Sequence, residues 1–106
     1  MSEPIKFSLQ EPIKHGEKEI TELMIRCPTT AEIRKVGGFP YKVDFTHEGE
    51  PDLDTDRAAK YLSICANIPP SVVNKMDIGD FQAAVLIIYG FFVGSLTKHY
   101  SKSAST

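Results

Sequence analysis

From Ile5 to Leu9 the chain alternates, with Ile5, Phe7 and Leu9 separated by Lys6 and Ser8. A period of two marks a half-buried strand, because successive side chains leave opposite faces of the sheet. The pattern breaks at Lys14-His15-Gly16-Glu17-Lys18, where Gly16 can supply a positive φ. A strand-like run returns from Ile20 to Cys27, so the pair predicts a β-hairpin over residues 5–27. Pro4 and Pro12 cannot donate to a ladder, and the first strand is therefore expected to be short or at an edge. A lone hairpin is marginal in water, so this one should lie on helices or pair with another chain.

After Pro28, Thr29 and Glu32 have the spacing of a capping box, and a short helix is expected from about Thr30 to Val36, stopped by Gly37-Gly38. Residues 39–53 carry Pro40, Gly49, Pro51 and scattered acids without periodicity, and read as a loop of unassigned role. Asp54 or Thr55 can cap a helix from Asp56 to Ala66, in which Ala58, Ala59, Tyr61, Leu62, Ile64 and Cys65 form one apolar stripe. Asn67 serves as its stop, and Pro70 suits the first turn of a short helix over residues 70–75.

The last helix is the best specified. Asp77 is its N-cap, Asp80 sits at N3 near the positive end of the helix dipole, and Met76 and Phe81 have the spacing of a hydrophobic staple. The helix is expected to run from Ile78 to about Leu96, with the polar segment 101–106 disordered beyond it. Between Ala83 and Val93 it is apolar almost all round, whereas a surface helix of a lone domain carries a polar back. Either the helix is central, or a partner covers one face. Gly90 and Gly94 have the small-xxx-small spacing that permits close helix approach.

Composition narrows the classes of partner. The chain has 106 residues, the size of one domain, and a net charge of -2. That balance gives no long-range attraction to nucleic acid or an anionic membrane. The run from Ala83 to Val93 falls short of the ~20 residues needed to span a bilayer. Cys27 and Cys65 form no close pair, and no secretory signal precedes the first charged segment, so a reducing cytoplasm is expected.

A search for chemistry returns little. His15, His47 and His99 fall in a turn, a loop and a helix end, and none shares a helix face with a Cys or carboxylate at metal-ligand spacing. Gly37-Gly38 ends a helix, whereas a phosphate loop opens one. Glu48, Glu50, Asp52, Asp54 and Asp56 lack the central glycine and terminal Glu of a calcium loop. No enzyme, metal or cofactor is expected. Residues 58–76 have the outline of a helix-turn-helix, but the second helix would offer only Lys75 as a base. DNA binding is accordingly the weaker alternative.

Two strings, FSLQEPIKHGEKEITELMIRCPTTAEIRKVGG and YLSICANIPPSVVNKMDIGDFQAAVLIIYGFF, together resemble a tail assembly chaperone family of Mu-like and P2-like contractile phages and prophages. The carrying features are the Ile20-Thr21-Glu22-Leu23 strand closing at Pro28-Thr29, the Ile68-Pro69-Pro70 junction, and Met76-Asp77 followed by Asp80-Phe81. The resemblance spans about Ile5 to Val93. It implies a non-catalytic protein of the host cytoplasm that binds the tape measure protein and keeps it soluble until the tail tube polymerises. It further implies a longer frameshifted form as a potential partner.

The expected fold is therefore α+β: an N-terminal β-hairpin (5–27) followed by three to four α-helices (30–96), the last long and apolar, in a single domain over 1–100. Homo-oligomers are expected, with no nucleic acid or membrane partner. Phe81, Leu86, Ile88, Tyr89, Phe92 and Val93 are the candidates for a client-binding or self-association surface, with internal core as the competing role. A structural tail subunit is the other non-enzymatic alternative.

Overall fold

The computed structural model describes the backbone of residues 3–43 and 51–104, and side chains over 3–42 and 52–95. Strands β1 (Ile5–His15) and β2 (Lys18–Ile25) form the hairpin, and helix α1 (Thr30–Val36) follows. Two short strands, β3 (Tyr41–Val43) and β4 (Pro51–Leu53), precede α2 (Thr55–Cys65), α3 (Pro70–Val73) and the long α4 (Ile78–Ala104). The architecture is the expected hairpin followed by helices, the last long and apolar.

The hairpin register shows how Pro12 is accommodated. Phe7 pairs with Leu23 and Ser8 with Glu22, but the next partners are Ile13 and Ile20, so β1 bulges over residues 9–12. The strand is thus longer than its prolines suggested, because Pro12 lies where no ladder donor is required. The bulge also turns the Gln10 and Glu11 N–H groups away from β2. Both are taken by Asp80 near the start of α4, at 3.0 Å each. Asp80 is only 2% exposed. Its expected position in the first turn of the last helix holds, and the structure gives it a second task as a clasp between the hairpin and α4.

The other helix ends follow local chemistry. Asp77 accepts the Gly79 and Asp80 N–H groups at 3.0 and 3.3 Å, which satisfies two donors that the first turn leaves open. Asp54 caps α2 by accepting the Arg57 N–H at 3.1 Å. That helix closes with Asn67 at φ 54°, while Ile68 N–H donates to Ser63 O and Asn67 N–H to Ile64 O. This is the Schellman arrangement.

Two expectations change. Residues 39–53 were expected to be a loop, yet Tyr41–Val43 pairs antiparallel with Pro51–Leu53; three-residue strands are too short to show a period in sequence. Residues 44–50, including His47, Glu48 and Glu50, lie outside the described residues. The last helix continues to Ala104 instead of ending near Leu96, because nothing after Ser95 breaks a helix. It thus enters the segment expected to be disordered; residues 105–106 lie outside the described residues.

The core joins all these layers. Leu9, Ile13, Leu23 and Ile25 from the hairpin meet Tyr61, Leu62 and Cys65 of α2, Val72 and Val73 of α3, and Ala84, Ile88 and Phe92 of α4. Burying each large aliphatic side chain contributes roughly 1.5–3 kcal/mol. Arg26 N–H donates to Cys65 O at 3.1 Å, which ties the end of β2 to the end of α2. Because α3 has only four residues and buries Val72 and Val73, it presents no recognition helix for a DNA groove.

Candidate functional site: an apolar groove and an uncovered helix face

The groove is built outward from α1. Thr29 and Glu32 form the full capping box, and Glu32 also accepts a two-pronged bond from Arg26, at 2.8 and 2.6 Å. A planar guanidinium on a carboxylate fixes orientation as well as distance. The Arg26 bonds, then the Thr29 N–H, hold the Glu32 carboxyl down to about 2. These contacts pin α1 to the end of β2.

Gly37 and Gly38 then turn the chain at φ 101° and 139°, values that side-chain-bearing residues rarely adopt. A Cβ on Gly38 would also meet the Arg57 guanidinium at 3.0 Å. The turn is locked by the buried Tyr61 hydroxyl, which donates to Gly38 O. It delivers Phe39 and Tyr41 to α4. The Phe39 ring stacks on Tyr41 and meets Phe92 edge-on, both at 5.7 Å. Tyr61 meets Phe92 at 5.2 Å from below, and Tyr41 meets Tyr89 at 5.2 Å. Such edge-on pairs are each worth about 0.5–1.5 kcal/mol beyond burial.

Between these walls lies an open cavity of about 400 Å³, lined by Cys27, Pro28, Ile33, Phe39, Tyr41, Phe91 and Phe92, with Thr30 and Ser95 at its edge. None of these residues is charged. Phe39 remains 49% exposed at the rim. Cys65 lies buried in the core beneath, and burial pushes its thiol up to about 12, so it supplies no thiolate at neutral pH. The arrangement can hold apolar groups by contact.

The expected surface residues divide into three places. Ile88 and Phe92 are core, although Phe92 also floors the groove. Phe81 packs against the core and borders a second, smaller cavity of about 290 Å³ beside Met76 and Ile78. Leu86 and Val93 face outward, Leu86 at 64% exposed, with half-buried Tyr89 near them. The structure therefore does not bring the six together. Sequence reasoning missed Ile33, Phe39, Tyr41 and Phe91. The first three lie on a short helix and a segment without periodicity, and Phe91 was indistinguishable from its apolar neighbours.

The outward face of α4 is itself unusual. Over the 18 residues Ile78–Ser95 the helix is apolar and long enough to cross a membrane by length and composition, yet only 28% of that stretch is buried. This window exceeds the run from Ala83 to Val93 considered in sequence. Its inner side is nonetheless the protein core, through Ala84, Ile88 and Phe92.

No curated protein and no solved structure matches the chain. The family described as "phage tail assembly chaperone proteins, E, or 41 or 14" matches over residues 6–93, a span that takes in the hairpin, the groove walls and the packed part of α4. With most of its length accounted for in this way, the chain belongs to the phage tail assembly chaperone family.

Proposed function

We propose that the protein binds the tape measure protein in the host cytoplasm and keeps it soluble until the tail tube polymerises around it. The groove carries this reading: it is open, its lining among the described residues is uncharged, and its rim holds an aromatic ring half in water. An amphipathic client helix would lay its apolar face there, as helix-in-groove binders do. Affinity in such grooves comes from a few large anchors in desolvated pockets, so Phe39 and Phe91 are the side chains that engage the client. The role asks for binding and release, and needs no catalytic group.

The test is co-expression with the tape measure protein, followed by pull-down and a comparison of client solubility. Phe39→Ser removes the rim ring from a half-exposed position and should abolish the complex while the fold persists. Alkylation of Cys27, which lines the groove, should slow when client is bound. A client equally soluble without the protein, or a Phe39→Ser variant that binds normally, would refute the assignment. Recovery of the protein from purified tails would favour the structural-subunit reading instead.

A further inference from the structure

We infer that the groove selects its client by charge, taking an amphipathic helix whose apolar anchors are flanked by Asp or Glu. The inference rests on the groove being the client site, and adds the chemical class of segment that fits it.

The charge lies in one wall. Residues 26–42 build that side of the groove, from Cys27 and Pro28 through α1 to Phe39 and Tyr41. They include four bases, Arg26, Arg34, Lys35 and Lys42, against the single acid Glu32, in a chain whose net charge is -2. Glu32 is engaged by Arg26, and Lys42 stands opposite Asp52 in the β3–β4 register. Among the described residues this leaves Arg34 and Lys35 as the uncompensated charges of the wall, both exposed in the last turn of α1. Arg34 adjoins Ile33 and follows Thr30 by one helical turn, and both of those residues line the groove. Arg34 therefore belongs to the groove edge of α1. The opposite wall, Phe91, Phe92 and Ser95, brings no charge. The cationic border is local, since the smaller cavity beside Met76 and Ile78 has Asp56 in its lining.

Charge complementarity selects the occupant. An apolar floor with a cationic border on one side matches a helix that has an apolar face and an acidic flank. A basic flank would bring like charges together, and complementarity of this kind acts chiefly on specificity and association rate. Arginine suits such a border, because its stem covers apolar surface while its planar head meets a carboxylate. The net negative charge of the chain disfavours a long polyanion, whose phosphates sense the whole surface. A short carboxylate flank senses only the wall within a Debye length of it.

Two synthetic peptides test this, each an amphipathic helix of about five turns with the same Leu and Phe face, one flanked by Glu and the other by Lys. Titrated into the native chain at low salt and followed by fluorescence anisotropy, the Glu peptide should bind about tenfold tighter or more. Raising NaCl to about 0.5 M should erase most of that preference and leave the apolar contact. Arg34→Glu with Lys35→Glu should reverse the preference, and the milder Arg34→Gln with Lys35→Gln should level it at an unchanged melting temperature. Phe39→Ser should weaken both peptides alike. Equal affinities, no binding of either peptide, or a preference that survives charge reversal overturns the inference. In that event a tape measure complex that still depends on Phe39 leaves the groove as the client site. Loss of the tape measure complex alone, with the Glu preference intact, refutes the named client and keeps the charge rule. Tighter binding of single-stranded RNA or of phosphatidylglycerol vesicles, lost on the same charge reversal, would assign the border to that polyanion instead.

Discussion

Asp80, 70 residues along the chain from Gln10, accepts that residue's backbone N–H at 3.0 Å. Its other carboxylate oxygen accepts from Glu11 at 3.0 Å. Hydrogen bonds to a charged acceptor contribute more than neutral ones, and orphaned buried donors cost their full desolvation. Asp80→Ala should therefore cost about 2–4 kcal/mol in urea unfolding, against about 1 kcal/mol for Asp77→Ala, which loses only a cap. Equal costs for the two would mean that the clasp contributes nothing of its own.

Acid should weaken the hold on α1. The Glu32 carboxyl is held down to about 2 by Arg26 and the Thr29 N–H, below its ordinary value of 4.5. A carboxylate with a depressed folded value stabilises fully above the unfolded one, and that contribution is lost as pH falls from about 4.5 towards about 2. Urea midpoints of the native chain should decline across that window. Glu32→Gln should start lower at neutral pH and decline less. Parallel acid profiles for the two proteins would remove Glu32 as the cause.

The two thiols should behave differently. Cys65 is buried, and burial pushes it up to about 12, whereas Cys27 is half-buried at the groove. Alkylation at pH 8 should modify Cys27 first, and Cys65 at a rate set by opening of the core. Mass spectrometry of tryptic peptides over time distinguishes the sites. Modification of both at one rate would mean that α2 opens far more readily than its packing implies.

Tyr61→Phe should cost about 1 kcal/mol, the usual worth of one net hydrogen bond. The hydroxyl donates to Gly38 O, and this is what holds the turn carrying Phe39. Amide exchange of residues 38–41 should quicken more in this variant than exchange within α2. If the two regions respond alike, the bond stabilises the whole fold without holding the groove wall in particular.

The parts of the fold set by local chemistry were legible in the residues. The Thr29–Glu32 box, the Asp54 and Asp77 caps and the Asn67 stop all appear where side-chain type and spacing placed them. What escaped was set by distant partners. Nothing near Asp80 says that its oxygens will reach across to a bulge in β1, and nothing near Pro12 says that a strand will resume after it. The groove escaped for the same reason. Phe39 and Tyr41 acquire their meaning from Tyr61, Tyr89 and Phe92, which reach them only through the folded chain. Over the last helix, an apolar run with no polar back left inner and outer faces undivided, so Ile88 and Leu86 read alike in sequence and differ completely in place.

The clasp between Asp80 and the hairpin also sets a schedule for synthesis on the ribosome. β1 and β2 emerge early, but their inner residues Leu9, Ile13, Leu23 and Ile25 find Ala84 and Ile88 only once most of the chain has left the exit tunnel. Until then the hairpin is a marginal structure whose apolar side α2 and α3 cover only in part. Closure of the fold is a late, long-range event, and such closures are slow relative to helix formation. A protein that belongs to a family of assembly chaperones thus passes through its own interval of exposed surface, ended when its final helix arrives.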